Sequence, residues 1–430
     1  MTRRVAEERR SIWIVAVLVV AIVSTSEPPR AAAQEAAWSP PRQLSHGSSP
    51  ARTFFNFGRS IAIDAAGAIH VAWLQVEGFF QPGEPLSAIG PVVYLRSGDD
   101  GRSWTAAPLA ILGGPAKVAA AGPHVYVAWH APANGNIRVF VRHSGDHGNT
   151  WEPPVQLSDD AGAAWPSITA WGDTAHVVWG DARTGHAEIY LRSTPDAGRS
   201  WTPTRAVSSH DGVSSWTATV ASWGPVIHVA WTDERHNRGP DGRPYDCASV
   251  GAGDSCREEE YYRRSPDFGQ TWDPEVRLSH DGDAPQSSWA PSIAAWGDDV
   301  HVAFFDRRSG SWDIYYVRSR GGGAAGSWER EHVIARAPSP ALQLMRPSLA
   351  VRGPEVDVVF WAQTPDGRSE IYALSSPSAG QYFANPTRLT TGSGNHAVQP
   401  SLAIATGGRR HAVWYDRDAR GVDQIFHAAR

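Results

Sequence analysis

Lysine, cysteine and long hydrophobic runs are all scarce in this sequence. Lys117 is the only lysine among 39 basic residues, the net charge is −5, and no basic cluster occurs after the N-terminus. That pattern lacks the electrostatic footprint of a nucleic-acid-binding protein. The longest apolar run, Ile12–Val23, has 12 residues and is too short to span a bilayer comfortably.

Glycine and proline are abundant instead. The 41 glycines and 32 prolines among 430 residues argue against long helices, because these are the two poorest helix formers. Hydrophobic residues make up 41% of the chain and 20 are tryptophans, a content that needs a core and argues against disorder. We therefore expect a folded chain with little helix.

The first 33 residues have the three parts of a secretory signal peptide. Arginines precede the apolar run, and Ala31 and Ala33 form an A-x-A cleavage site. We expect cleavage after residue 33, a secreted or periplasmic location and no stable membrane span afterwards. An uncleaved anchor is the alternative, and an Arg-Arg pair fits a twin-arginine signal loosely. Outside the cytosol, Cys247 and Cys256 are expected to form a disulfide.

A turn motif, R-S-x-D-x-G-x-[ST]-W, recurs through the rest of the chain. Asp and Ser side chains can bond to nearby backbone groups in such a turn, and Gly suits a positive φ. Four clear copies and two decayed ones end at Trp104, Trp151, Trp201, Trp272, Trp328 and Tyr382. A motif repeated around a structure is not one converging active site, so we interpret it as structural.

A second marker, H-V-A-W or a close variant, precedes these turns. Its seven copies end at Trp73, Trp129, Trp179, Trp231, Phe304, Phe360 and Trp414. The segments around it are short and rich in β-branched and aromatic residues, which suits strands. Four strands in each repeat of about 50 residues are typical of a β-propeller.

The two ends of the chain complement each other. The seventh unit stops before its fourth strand, and Trp38–Ser45 matches Trp151–Ser158 of the second unit at six of eight positions. The N-terminal strand is thus predicted to complete the last blade and close the ring. We predict an all-β, seven-bladed β-propeller in a single domain over residues 38–430, with six blades as the alternative.

The turn motif resembles the Asp-box, or bacterial neuraminidase repeat, of the sialidase superfamily of β-propellers. The resemblance covers residues 38–430. It implies Asp-boxes on one face and a functional site on the other, built from loops between the second and third strands and from crossings between blades. Known sialidases in this family have six blades. The repeats indicate the fold and do not themselves show an activity, which depends on the residues of the site.

A further repeat, W-x-D-x-R, falls on the loops after the second strand. Its members are Asp181, Arg183, Asp233, Arg235, Asp306 and Arg308. These residues are candidates for gripping a polar ligand around a central pocket, and the alternative is that each Asp–Arg pair braces its own loop. Histidines that open the second strands are spread around the ring, so we expect no metal site, and we expect no cofactor.

Residues that depart from the repeat are stronger candidates for a functional site than residues that recur in it. Arg59 stands where other units have proline, at the start of an innermost strand, and Arg346 adjoins the matching Pro347. Both should lie near the mouth of the ring. The fourth unit carries an insertion over about residues 235–260 that contains both cysteines, and it either shapes access to the site or is neutral.

The resemblance implies a specific catalytic set. Sialidases of this family hold the substrate carboxylate with three arginines, for which Arg59, Arg235 and Arg346 are candidates here. They use a Tyr nucleophile and an Asp acid/base, for which Tyr415 and Asp233 are candidates. The early Phe-Arg-Ile-Pro motif of the family is absent, and the stretch from Phe57 to Ile61 is its loose counterpart.

Three functions remain open from the sequence. The first is a non-catalytic propeller that binds a glycan or another polar ligand, and the second is a sialidase-like glycoside hydrolase. The third is an assembly or scaffold factor that binds a protein partner, with Trp312 or Trp361 exposed. We expect a monomer. Seventeen tryptophans, including Trp171, Trp223 and Trp296 in the turns after first strands, belong to the repeat and are interpreted as packing residues.

Overall fold

The computed structural model describes residues 37–53, 58–79, 88–159, 162–237, 242, 256–280, 287–390 and 396–430. Every regular element in these ranges is a β-strand, and the all-β propeller is confirmed. The strands form seven antiparallel sheets, six with four strands and one with six. Each of the seven predicted repeat units corresponds to one sheet. Residues 1–33, the predicted signal peptide, lie outside the described part.

Sheets are numbered here in chain order, and strands are given from the innermost outward. Sheet 1 has an inner edge of two short strands, β2 (Ala51–Arg52) and β3 (Ile61–Ile63), then β4 (Ile69–Gln75), β6 (Ala88–Ser97), β5 (Gly78–Phe79) and β7 (Thr105–Gly113). Sheet 2 contains β8 (Ala116–Ala121), β9 (His124–Ala133), β10 (Asn136–Ser144) and β11 (Val155–Gln156). Sheet 3 contains β12 (Ala164–Trp171), β13 (Thr174–Asp181), β14 (Glu188–Thr194) and β15 (Arg205–Ala206).

The remaining sheets follow the same order. Sheet 4 contains β16 (Ser215–Trp223), β17 (Val226–Asp233), β18 (Glu259–Ser265) and β19 (Val276–Arg277). Sheet 5 contains β20 (Ser288–Trp296), β21 (Asp299–Asp306), β22 (Asp313–Ser319) and β23 (His332–Ala335). Sheet 6 contains β24 (Gln343–Arg352), β25 (Glu355–Gln363), β26 (Ser369–Ser376) and β27 (Thr387–Arg388). Sheet 7 contains β28 (Val398–Ile404), β29 (Arg410–Arg417), β30 (Asp423–Ala429) and β1 (Arg42–Gln43).

The inner strands form a closed ring. Each inner strand contacts the inner strand of the next sheet, and β28 of sheet 7 contacts β3 of sheet 1. The predicted closure by the N-terminal strand is confirmed, because β1 pairs with β30 and places Arg42 opposite His427. The H-V-A-W tryptophans Trp179, Trp231 and Trp414 are fully buried between sheets.

Hydroxyl groups clasp neighbouring sheets near one end of the inner strands. A serine hydroxyl of one inner strand accepts a hydrogen bond from a backbone N–H of the next. The pairs are Ser167 with Val220 (3.3 Å), Ser292 with Leu349 (3.0 Å), Ser348 with Leu402 (3.1 Å) and Ser401 with Ser60 (3.0 Å). Each bond satisfies a buried donor at a sheet boundary, and an unmet donor there would cost about 1–3 kcal/mol.

The turn motifs join third and outer strands. In the second copy, Asp146 accepts bonds from the backbone N–H (2.8 Å) and the hydroxyl (2.6 Å) of Thr150, and these bonds lower its pKa to about 2. Gly148 has φ +80°, and a Cβ there would meet the hydroxyl oxygen of Tyr94 at 1.9 Å. Trp151 packs edge-on against the Tyr94 ring. Glycine is therefore required both by the backbone and by the neighbouring sheet.

Strand direction defines two faces of the ring. Because strands alternate, the turns from inner to second strand and from third to outer strand share one face, called here the turn-motif face. Loops from second to third strand and crossings between sheets share the other, called the loop face. The W-x-D-x-R residues and the starts of the inner strands are therefore on the loop face.

Buried histidines predict acid lability. Burial lowers the pKa of His176, His228 and His301 to about 3. The unfolded chain, with histidine pKa values near 6.5, binds more protons between these limits, so stability is full above about pH 6.5 and falls as the pH drops towards 3. We expect the Tm to fall by about 5 °C or more between pH 7.5 and pH 5, measured by calorimetry.

A histidine variant tests the cause of that fall. His228→Gln should show a shallower loss of Tm with acid than the unchanged protein, whereas the exposed His46→Gln should follow the original curve. Parallel curves for all three proteins would assign the acid lability to carboxylates instead.

Candidate functional site

The predicted Asp–Arg pairs are local braces. The carboxylate–guanidinium distances are 2.7 Å for Asp181–Arg183, 2.6 Å for Asp233–Arg235 and 2.5 Å for Asp306–Arg308. Each guanidinium also stacks on a tyrosine of its own sheet, at 4.0 to 4.4 Å from the ring centroid of Tyr190, Tyr261 or Tyr315. These six residues stay in sheets 3, 4 and 5 and fix the second-to-third loops. The geometry favours the bracing interpretation over a shared ligand grip.

A different set of cations meets on the loop face, at the starts of inner strands. Arg59 of sheet 1 reaches across the channel, where its Nη2 donates to the carbonyl of Leu349 in sheet 6 at 3.1 Å. Burial lowers the pKa values of Arg59 and Arg346 to about 10. Both residues keep part of their surface accessible, while Nη1 of Arg346 is buried. The two arginines that break the repeat are thus at the mouth, as predicted.

Lys117 of sheet 2 joins this group. It is 2% exposed, and its ammonium donates to the carbonyl of Thr53 at 3.3 Å. Burial, and to a smaller extent the charge of Arg346, lowers the pKa of Lys117 to about 7. Since Arg346 belongs to sheet 6, this repulsion means that cations from sheets 6 and 2 approach one another across the mouth.

Lys117 occupies a position that other sheets use for the hydroxyl clasp. Its register opposite Ala128 corresponds to that of Ser167 opposite Val178 and of Ser292 opposite Ala303. An ammonium group cannot accept the backbone N–H that those serines accept. Sheet 2 therefore has a buried charge where the fold favours a small hydroxyl. Lys117 was not predicted from the sequence to be a site residue. Its place at a position where other repeat units have serine could have identified it.

Tyr415 lies beside the cations. It is on β29, with the Arg52 guanidinium 5.7 Å from its ring centroid and the His396 ring at 6.2 Å. Burial raises the pKa of Tyr415 to about 12, while the charges of Arg52, Arg346 and Arg417 oppose that rise. We call Arg52, Arg59, Lys117, Arg346 and Tyr415 the cationic arc, which spans sheets 6, 7, 1 and 2.

The structure does not bring Asp233 to Tyr415. Asp233 is on sheet 4, three sheets away around the ring, and is 1% exposed. Its carboxylate accepts bonds from Trp231 Nε1 at 2.9 Å and the Ser215 hydroxyl at 3.1 Å, in addition to Arg235. Arg235 is likewise remote from Arg59 and Arg346, and Lys117 is the third cation of that group instead.

Charges around the cationic arc are mostly positive. Asp423 pairs with Arg52 at 2.7 Å and lies 3.8 Å from Arg417. It is the carboxylate that faces Tyr415 among the described residues. On a protein with a net charge of −5, this concentration of cations in one arc creates a local site suited to an anion.

Sheet 4 contains a second polar feature that the sequence did not reveal. Glu260 stands at the register that isoleucine occupies in other sheets, such as Ile189 and Ile314. Burial raises the pKa of Glu260 well above its usual value, and its Oε1 accepts a bond from the Thr232 hydroxyl at 3.1 Å. Glu260 belongs to sheet 4 and lies far from the cationic arc.

The cysteines and the two tryptophans outside the repeat were also predicted to have functional or structural roles. Cys256 is buried, whereas Cys247 and most of the insertion lie outside the described residues, so the disulfide stays a prediction. Trp361 is buried, and Trp312 packs on Phe305 at 4.8 Å, so neither supplies the exposed patch expected of a scaffold. In the described ranges, no cluster of three or more His, Cys, Asp or Glu has metal-binding geometry, and no helix is long and apolar enough to cross a membrane.

Comparison with solved structures finds related folds at low sequence identity. A polysaccharide lyase of family PL25, an ulvan lyase, has a TM-score of 0.57 at 10% identity, covering 90% of this chain and 95% of that one. A protein of unknown function from Dyadobacter fermentans has a TM-score of 0.51 at 14% identity, covering 79% and 97%. The Trypanosoma rangeli sialidase has a TM-score of 0.46 at 10% identity, covering 90% and 59%. No protein-family model and no curated protein sequence matches the chain.

Proposed function

We propose that this protein binds an acidic glycan through the cationic arc on the loop face. The observation that carries the proposal is Lys117, a buried cation placed within reach of Arg346's charge at a position where the fold favours serine. Burying like charges together costs stability, and an anionic ligand offsets that cost.

A sugar carboxylate is the anion that fits best. Arg59 and Arg346 are both partly accessible residues, and a guanidinium group can donate two parallel hydrogen bonds to one carboxylate. Lys117 is buried behind them and adds positive electrostatic potential to the site. The ulvan lyase with this fold has been solved with bound -[GlcA(1-4)Rha3S]-, an acidic glycan, at a TM-score of 0.56 and 10% identity. That likeness supports the fold, and the cations of this chain support the ligand class.

The sequence motifs support proposals about the family, export and location of the protein. We propose that the turn motifs are Asp-boxes of the sialidase superfamily, and that residues 1–33 direct export. The mature chain would be a monomeric single domain over residues 38–430, braced by a Cys247–Cys256 disulfide in the insertion. Its place of action would be outside the cytosol, where acidic polysaccharides are accessible.

A sialidase-like hydrolase is the second candidate, and one observation favours it. Tyr415, the predicted nucleophile, lies within the electrostatic reach of Arg346 and Arg52. Against it, Asp233 and Arg235 belong to a different part of the ring. Turnover of a fluorogenic sialoside that is lost in Tyr415→Phe would establish this activity, and binding without turnover would support the non-catalytic function.

Calorimetric titration of the mature protein tests the proposal. The probes are oligogalacturonates and 3′-sialyllactose, compared with neutral galactan oligosaccharides and lactose. We expect acidic sugars to bind more tightly, and Arg346→Gln to weaken that binding about tenfold or more, since 1.4 kcal/mol is a factor of ten. The affinity should fall as salt screens the charges.

The matched control is Arg368→Gln. Arg368 is on the same loop face and its side chain is 59% exposed and paired with Asp366, so the substitution removes the same charge without touching the cationic arc. Its affinity should equal that of the unchanged protein. Equal binding of neutral and acidic sugars, or equal loss in both variants, would reject the proposal.

A further inference from the structure

Three tryptophans form a continuous aromatic surface on the turn-motif face. Trp171, Trp223 and Trp296 each end the inner strand of sheets 3, 4 and 5. The ring centroids are 4.3 Å apart for Trp171–Trp223 and 4.8 Å for Trp223–Trp296, with interplanar angles of 50° and 47°. The equal tilts reflect one side chain repeated around a ring. We call these three residues the tryptophan crescent.

The fold does not require tryptophan at this turn. Ala121 of sheet 2 and Arg352 of sheet 6 occupy the same register, one residue before the turn glycine. Trp171 and Trp296 are 38% and 40% exposed, unlike the buried H-V-A-W tryptophans. The interpretation of these three as packing residues therefore accounts for Trp223, which is half-buried between its neighbours, but not for the outer two.

The crescent borders the mouth of the central channel. The channel has a volume of about 270 Å³ and is lined by residues of the inner strands, by Arg59 and by the three indoles. Just inside the mouth, the Thr169 and Ser222 hydroxyls lie 3.2 Å apart. In the turns after the inner strands of sheets 3 and 5, the Asp173 side chain is 71% exposed and pairs with His124 Nε2 at 3.3 Å, and Asp298 is exposed as well. The indoles thus lie near a hydroxyl pair inside the channel and near carboxylates in the adjoining turns.

We propose that the tryptophan crescent is a second binding site, which takes the pyranose rings of a neutral saccharide. The C–H groups on one face of a sugar ring can pack on indole, and its hydroxyls can bond to the hydroxyl pair inside the channel. The exposed carboxylates in the adjoining turns disfavour an anionic sugar. The touching rings leave no enclosed space for a quaternary ammonium cage, and the narrow channel mouth suits a ligand of a few rings better than a protein surface.

This site is distinct from the cationic arc, although Arg59 of the arc also lines the channel between them. The crescent is on the turn-motif face and the arc is on the loop face, and the two take ligands of different charge. Loss of acidic-sugar binding in Arg346→Gln therefore leaves the crescent unaffected, and either site can be tested alone. A chain with both sites would hold a mixed polysaccharide by its acidic and neutral segments at opposite ends of the channel.

Saturation-transfer NMR and calorimetry with neutral hexasaccharides test the proposal. The probes are cello-, xylo-, manno- and maltohexaose with the full mature protein. We expect at least one of them to bind, and Trp171→Ala or Trp296→Ala to weaken it about tenfold. Alanine is the natural residue at this register in sheet 2, so both variants should fold, as their Tm values will show.

The matched control is Phe268→Ala. Phe268 is an exposed aromatic residue of a turn motif on the same face, with φ +59°, and Ala197 and Ala379 occupy the equivalent turns with φ +59° and +52°. This variant should keep full affinity. Binding of no neutral hexasaccharide, equal loss in Phe268→Ala, or binding of tetramethylammonium without any sugar would each overturn the proposal.

Discussion

Replacing Lys117 with serine should stabilise the protein and weaken its binding of acidic glycans at the same time. The substitution removes a buried charge that is 2% exposed and repelled by Arg346. It also restores the hydroxyl of the inter-sheet clasp, which we expect to accept the Ile168 N–H. A gain of about 1–3 kcal/mol in the free energy of unfolding is expected from these two effects.

The gain should depend on pH in a defined direction. The pKa of Lys117 is about 7 in the folded chain and near its usual 10.5 in the unfolded chain. Between these values the unfolded chain binds more protons, so the stability of the unchanged protein rises with pH. The advantage of Lys117→Ser should be largest at pH 7 and below and should shrink towards pH 10.

Denaturant unfolding at pH 6, 8 and 10, together with the acidic-sugar titration, measures both effects. Lys117→Met serves as the control, because it removes the charge and keeps the volume but cannot accept a hydrogen bond. It should lose glycan affinity like Lys117→Ser while gaining less stability. A serine variant that is less stable than the unchanged protein would show that the lysine is structural, which would remove the main support for the acidic-glycan site.

The repeat made most of the fold predictable from the sequence. The H-V-A-W marker fixes each second strand, because its aromatic residue is buried between sheets in every unit described. The match of Trp38–Ser45 to a fourth strand predicted the closure that β1 and β30 form. Strand lengths in sheet 1 were not predictable, since its inner edge is broken into β2 and β3 at a place where sheets 3 to 7 have a bulge.

The site was predictable only where a residue departs from the repeat. Arg59 and Arg346 were found because they replace or adjoin a recurring proline. Lys117 departs from a recurring serine, but its meaning depends on Arg346, which is more than 200 positions away and meets it only when the ring closes. The Asp–Arg pairs recur in register, and each forms an ion pair within its own sheet, as expected of a bracing role.

The sequence repeat does not indicate how exposed its residues are to solvent. Trp171 and Trp231 both recur in register, yet one is 38% exposed and the other is fully buried. The difference lies in position along the strand: the second strand is covered by neighbouring sheets on both sides, whereas the turn at its start is covered by nothing that recurs. Sequence periodicity identifies the element and leaves its solvent contact undetermined.

Deleting the closing strand should destabilise the ring more than any single substitution outside the core. In sheet 7, the Ser39 N–H donates to the Ala429 carbonyl (2.8 Å) and the Leu44 N–H to the Ile425 carbonyl (2.7 Å). The Ser45 hydroxyl donates to Gln424 and accepts from the Ile425 N–H. Removing these bonds leaves β30 as an open edge next to sheet 1, with its backbone groups unpaired.

The strand also links sheet 7 to sheet 1. Arg42 donates to the carbonyl of Gly101 at 2.9 Å, in the first turn motif, and Leu44 packs into the cluster shared by sheets 7 and 1. A protein that begins at residue 46 should therefore lose about 3–5 kcal/mol, and its Tm should fall by roughly 10 °C relative to a protein that begins at residue 38.

Rescue in trans separates loss of closure from general misfolding. A synthetic peptide of residues 38–45 added to the shortened protein should bind and restore much of the Tm, because the strand makes its contacts without a covalent requirement. A peptide of the same composition in scrambled order, which cannot place leucine and serine at the Leu44 and Ser45 positions, should have no effect. An unchanged Tm after the deletion would mean that contacts between the inner strands close the ring without β1.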